Sequence, residues 1–201
     1  YDLDAKFVKN VIRSQSITPS SIVDYGCGEM FFTPYLEMIC DNTFAFDVSP
    51  IVTSRSQYQK IALSKSSRSS LGKDSIFILR GIFQHLPNPI ETLNHIVTSY
   101  EPRLIIFLST PNTRSLYYLL NGTLPCLDPT NNYYIPSPSM LSNLMLRLDM
   151  HHVALSYPYL GSGYDNVLID HVKFLFNIFN HRKKFIYPFW RSMFNMAFSR
   201  I

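Results

Sequence analysis

The sequence predicts an α/β fold, a mostly parallel sheet set in an α/β sandwich. Three observations predict it. Short apolar runs, Ser75–Leu79 and Leu104–Leu108 the clearest, lack polar alternation and suit strands buried on both faces. Segments with apolar residues at helical spacing stand between such runs. A glycine-containing turn, Gly26-x-Gly28, joins the first strand to the first of those following helices.

The elements follow in order. Asp4–Ile12 reads as a helix, with Phe7, Val8, Val11 and Ile12 at helical spacing. Ile22 to Asp24 forms a short strand that runs into the glycine turn, and Phe31, Phe32, Tyr35, Leu36 and Ile39 then share one helical face, with Pro34 near the helix start. Thr43–Val48 is a second strand, and residues 51–63 suit a helix before the Ser-rich loop Ser64–Ser70. After the strand Ser75–Leu79, Asn88-Pro89-x-Glu91 marks a helix start, with Asn88 as N-cap, Pro89 at the first helical position and Glu91 reaching back. Ile90, Leu93, Ile96 and Val97 supply its buried stripe. The strand Leu104–Leu108 is closed by Ser109-Thr110-Pro111-Asn112, and a loop spans about residues 121–137. Ser137-Pro138 starts a helix carrying Leu141, Leu144, Met145 and Leu148. Strand-like residues 152–157, an aromatic insertion over about 157–190 and the apolar segment Ser192–Ile201 complete the chain.

At 201 residues and 46% hydrophobic content, one domain over 1–201 is expected. A net charge of +4, from 18 basic and 14 acidic residues, falls short of the clustered basic face of a nucleic-acid binder, so no nucleic-acid partner is expected. The basic run His181-Arg182-Lys183-Lys184 reads as a solvated turn. Cys27, Cys40 and Cys126 show no metal-ligand spacing and suit reduced thiols in a cytoplasmic protein. No apolar run reaches the roughly 20 residues a membrane span needs, and no metal site is expected.

The site-bearing unit is the strand, the turn Asp24-x-Gly26-x-Gly28 and the helix after it. Glycines in such a turn let backbone N–H groups approach a ligand, and ligands in open α/β sheets bind beyond the carboxyl ends of the strands. Asp47, at the end of the next strand, stands where a carboxylate accepts from ribose hydroxyls. A dinucleotide fold would need a third glycine where Phe31 stands, which sets that reading aside.

Val23-Asp24-Tyr25-Gly26-Cys27-Gly28 resembles the first motif of class I S-adenosylmethionine-dependent methyltransferases, and Phe46-Asp47-Val48-Ser49-Pro50 resembles their second. The segment from Leu79 to Pro89, with Gln84-His85-Leu86 inside it, is similar to the stretch after their fourth strand. Ser109-Thr110-Pro111-Asn112 resembles the fifth-strand ending of the ubiquinone- and sugar-modifying branch. The resemblance spans roughly residues 20–150. It implies a Rossmann-like three-layer sandwich whose seven-stranded, mostly parallel sheet ends in an antiparallel strand. It also implies S-adenosyl-L-methionine as cofactor, with Asp24, Gly26, Cys27, Gly28, Asp47, Val48, Gly81, Ile82 and Gln84 around it. Gly26 and Gly28 would pass beneath the methionine part, Asp24 would organise its ammonium, Asp47 would take the ribose and Val48 would lie beside the adenine.

Two positions depart from the family pattern: Met30 replaces a usual glycine, and Asp149-Met150 replaces a usual Gly-aromatic pair. An adenine-contacting acid has no counterpart between Ser64 and Gly72. The expected reaction is methylation of an oxygen on a small or lipid- or sugar-linked metabolite. His85 is the candidate catalytic base, and alignment of the reactants is the main source of rate. His151-His152 read as surface or packing residues. The aromatic insertion, with Asp170-His171 inside it, suits a helix packed on the core or at a homodimer interface, or a lid over the acceptor. The alternative is a cofactor-binding or scaffold protein of the same fold without turnover.

Overall fold

The computed structural model of the chain describes residues 1–48, 71–124, 127, 130–158, 168–169, 171–172 and 191–200. The expected helix over 51–63, the Ser-rich loop, the basic run at 181–184 and nearly all of the aromatic insertion lie outside the described residues.

The chain opens with α1 (Asp2–Ser14) and β1 (Ser21–Tyr25), followed by the short α2 (Thr33–Glu37) and β2 (Thr43–Phe46). Then come β3 (Ser75–Arg80), a 3-10 turn (Phe83–His85), α3 (Pro89–Tyr100), β4 (Leu104–Pro111) and α4 (Leu116–Asn121). The helix α5 (Pro138–Leu146) and the strands β5 (His151–Ser156) and β6 (Met193–Ser199) follow. The strand order is β2-β1-β3-β4-β6-β5. Strands β1 to β4 pair in parallel, and β6 runs antiparallel to both β4 and β5.

The sheet therefore has six strands among the described residues, not the seven implied by the resemblance. The six are those for which the sequence offers an apolar run; the seventh rested on the resemblance alone. The antiparallel last strand is present, as β6.

Each sheet face buries its own cluster. Odd positions of β3 and β4, Phe77, Leu79, Ile105 and Phe107, pack with Leu93, Ile96 and Val97 of α3 and with Leu141 and Met145 of α5. Even positions, Ile76, Ile78, Leu104 and Ile106, pack with Val8, Val11 and Ile12 of α1 and with Leu36 of α2. The period-2 alternation of side chains makes each strand serve both layers, which is why these runs carry no polar alternation. Phe77, Phe107, Phe194 and Phe198 are fully buried, each contributing about 1.5–3 kcal/mol relative to an exposed side chain.

The caps hold as expected. Asn88 accepts from the Glu91 N–H (3.5 Å), Pro89 opens α3, and the reciprocal bond runs side chain to side chain, Asn88 Nδ2 donating to Glu91 Oε2 at 2.6 Å. Ser137 caps α5 by accepting from the Met140 N–H.

Several sequence expectations shift. Ile90 is 60% exposed rather than part of the α3 stripe, which Tyr100 extends instead. Phe31 is also 60% exposed, because α2 starts two residues later and its buried phase is set by Phe32 and Leu36, one turn apart. Strand β4 does not close at Leu108. It runs on to Pro111 after a break in register between Phe107 and Thr110, with Ser109 at φ +49°. The helix α4 precedes the loop expected over 121–137.

Candidate functional site

The chain steps from β1 to β2 on one side and returns to place β3 on the other side of β1. The sheet thus reverses its strand order between β1 and β3, and the crevice beyond their carboxyl ends is where such a fold takes a ligand. Every site residue predicted from the sequence lies at the carboxyl ends of β1, β2 or β3 or in the segments that follow them.

The β1 turn is built by two glycines with different tasks. Gly26 has φ +77°, and a Cβ there would sit 2.5 Å from Ile82 Cγ1. The Ile82 side chain occupies the space a larger residue would need, so Gly26 is demanded by packing across the reversal point. Gly28 has φ +53°, and a Cβ there would meet nothing within 4 Å. Its open side is the one a ligand can approach. The N–H groups of Gly26 and Cys27 both donate to the Phe46 carbonyl, at 2.7 and 3.1 Å, tying the turn to β2. Gly28 N–H donates to Asp47 Oδ2 at 2.8 Å. The two motifs, 19 residues apart in sequence, thus meet in one hydrogen bond.

Met30 adopts φ +61° and Asp149 φ +57°. Both positions where the family pattern has glycine keep the left-handed conformation that glycine would take without strain. Met30 in the β1 turn and Asp149 before β5 thus each take a backbone conformation open to glycine.

Asp24 is 2% exposed and accepts a 2.7 Å bond from Thr33 Oγ1. Burial pushes its carboxyl up to about 6, Asp47 adds to the rise, and the Thr33 bond and the nearby Arg80 guanidinium hold it back. Burial, reinforced by Asp24 and Asp47, pushes the Cys27 thiol up to about 12, so it is a protonated, unreactive group in the turn. Val48 is 87% exposed.

Past β3, Gly81 (φ +59°) bonds the Leu108 carbonyl through its N–H and is open on its Cβ side. Gln84 is buried; its Nε2 donates to the Gly81 carbonyl at 2.8 Å, and its Oε1 has no partner among the described residues. His85 is exposed, with Nδ1 2.8 Å from the Asn131 carbonyl and Nε2 3.3 Å from Gln84 Nε2. A carbonyl only accepts and an amide nitrogen only donates, so these contacts assign the Nδ1–H tautomer and put the basic lone pair on Nε2.

The structure also brings in residues that sequence reasoning passed over. Asp4 is buried, and its Oδ2 accepts from Arg80 Nε and Ser109 Oγ, both at 2.9 Å. Its Oδ1 accepts from Asn195 Nδ2 at 2.8 Å. This cluster ties α1 to the ends of β3, β4 and β6. Two signals were available: Asp4 lies one turn before Val8 on the apolar stripe of α1, and Arg80 ends an otherwise apolar strand.

His151 and His152 lie in β5, His152 exposed with its ring against Phe198; Asp170 lies outside the described residues. Among the described residues no group of three or more His, Cys, Asp or Glu could hold a metal ion, and no helix is long and apolar enough to cross a membrane.

The family model described as a methyltransferase domain matches residues 5–155. No curated protein matches the chain. Among solved structures, the chain is similar to a SAM dependent methyltransferase from Archaeoglobus fulgidus, at 18% identity and a TM-score of 0.58, covering 97% of this chain and 94% of that one. It is similar to the plantazolicin methyltransferase BpumL, solved with a triazolic desmethylPZN analog and SAH, at 18% identity and a TM-score of 0.56, covering 98% and 83%. It is also similar to the magnesium protoporphyrin IX methyltransferase ChlM from Synechocystis PCC 6803, solved with bound SAH, at 12% identity and a TM-score of 0.55, covering 98% and 82%.

Proposed function

This chain belongs to the methyltransferase-domain family, and from that premise we propose that it transfers a methyl group from S-adenosylmethionine to an oxygen of a small or lipid- or sugar-linked metabolite. The observation that carries the reading is the bond from Gly28 N–H to Asp47 Oδ2 at the point where the sheet reverses. It joins the turn and the carboxylate into one cradle with an open glycine face.

The residues fit such a cofactor. Asp47 would accept from its ribose hydroxyls, Asp24 would organise its ammonium, and the turn from Gly26 through Cys27 to Gly28 would run beneath its methionine part. Exposed Val48 offers an apolar surface to the adenine. Gly81, Ile82 and Gln84 border the mouth, where the buried Gln84 Oε1 is an acceptor available to a donor on either ligand. When bound, the cofactor supplies an electrophilic methyl on a sulfonium. The protein then has to orient the acceptor, exclude water and take one proton. His85 Nε2, which the Nδ1–H bond to Asn131 leaves as the accepting nitrogen, holds the Gln84 amide donor at 3.3 Å and is the base for that proton once the acceptor hydroxyl takes the place of that donor.

The alternative, a cofactor-binding or scaffold protein of the same fold without turnover, rests on Met30 and on the missing adenine acid. Met30 holds a left-handed conformation of the kind glycine takes without strain, and residues 64–70 lie outside the described residues.

Calorimetric titration with S-adenosylmethionine, S-adenosylhomocysteine and NAD tests the reading on wild type and Asp47→Ala. Micromolar binding of both adenosyl ligands, absent for NAD and lost in the variant, is expected. No binding by the wild type overturns it.

A further inference from the structure

We propose, resting on the methyltransferase reading above, that Arg80 anchors an oxyanion of the methyl acceptor, a carboxylate or a phosphate. Arg80 is the last residue of β3 and continues the Ile76 and Ile78 side of the strand, the side that Asp24 shares on β1. It directly precedes Gly81 and Ile82 at the crevice. The guanidinium lies close enough to Asp24 to hold down that carboxyl.

Its orientation is fixed from three sides. Nε donates to Asp4 Oδ2 at 2.9 Å. The charged carbon lies 4.4 Å from the Tyr1 ring centre and 5.4 Å from that of Phe32. Asp4 itself is held by Ser109 and Asn195, and Ser109 reaches it from the left-handed conformation in the β4 irregularity.

A guanidinium carries five N–H donors. The contact with Asp4 uses the one on Nε, and among the described residues Nη1 and Nη2 have no acceptor. The Arg80 side chain stays 28% exposed while that of Asp4 is 6% exposed. A counter-ion serving Asp4 alone would gain most from an end-on pair using two donors. The side-on contact instead leaves the paired terminal nitrogens for a second oxyanion, in a rigid frame that suits bidentate recognition. Such an anion would fix one end of the acceptor at the carboxyl edge of β3, beside the segment that carries His85.

The test titrates the S-adenosylhomocysteine-bound protein with benzoate, phenyl phosphate and phenol, on wild type, Arg80→Lys and Arg80→Met. One of the two anions should bind wild type about tenfold or more tighter than phenol, and Arg80→Met should abolish that preference. Which anion responds distinguishes carboxylate from phosphate. Arg80→Lys, which keeps the charge but loses the fork, should retain only part of the preference; it decides the matter if Arg80→Met does not fold. Equal binding of phenol and both anions, or a preference unchanged in the Arg80 variants, overturns the assignment while leaving the cofactor reading standing. Failure of wild type to bind S-adenosylhomocysteine overturns both.

Discussion

Asp24→Asn should make the protein more stable and the cofactor bind more weakly. The wild-type carboxyl is lifted from 3.8 to about 6, chiefly by burial. The native state therefore binds this proton more tightly than the unfolded chain does. The group contributes no penalty below about pH 4, where both states are protonated. Stability is lost as pH rises from there through 6, and the loss is complete above it. A rise of that size corresponds to about 3 kcal/mol against the native state at pH 8. Asparagine removes the charge, keeps the shape and can still accept from Thr33. Thermal unfolding at pH 8 should then rise by about 6–12 °C for a chain of this size, and the gap between variant and wild type should narrow steadily as pH falls from 6 toward 4. Cofactor affinity should move the other way, because an ammonium needs the charged carboxylate. For the wild type, affinity should fall about tenfold per pH unit below 6. Destabilisation of Asp24→Asn at pH 8, or a stability gap that does not change with pH, would refute the reasoning.

Gly26→Ala should destabilise by about 2–4 kcal/mol, from a strained left-handed alanine and a collision with Ile82. Urea unfolding of Gly26→Ala, Ile82→Ala and the double variant should show coupling, since trimming Ile82 removes the collision but not the strain; simple additivity would contradict it. Cys27, in a Cys40→Ser, Cys126→Ser background, should react with iodoacetamide at pH 8 about 10–100-fold more slowly than an unperturbed thiol. Its thiolate fraction falls by about three orders of magnitude while nucleophilicity recovers part of that. A rate matching free cysteine would show that the thiol is not buried as described.

The elements whose apolar runs or caps are local were legible. The strands β1, β3 and β4, the Asn88 cap and the Ser137 cap fell where side-chain periodicity and capping chemistry put them. The glycine turn and Asp47 were legible because their spacing is itself the signal, and the structure joins them through one N–H. The extension of β4 past Ser109 was not, because its partner there is Phe194 and Met193, more than 80 residues away. Nor was the exposure of Phe31, which precedes the start of α2, or of Ile90, which lies in the first turn of α3 beside a stripe that Leu93, Ile96, Val97 and Tyr100 carry.

The sequence by itself determined the family, the layered α/β order and the position of the glycine turn, because those depend on local periodicity and on short motifs. Only the tertiary structure decided what the two glycines do and which groups surround the reversal point. Gly26 is a glycine because Ile82, 56 residues later, fills the space beside it. Asp4, Arg80, Ser109 and Asn195 become one cluster only when α1 folds over the ends of β3, β4 and β6. A buried charge is costly wherever it stands alone, so the placement of its partners is a property of the assembled sheet that no local pattern records.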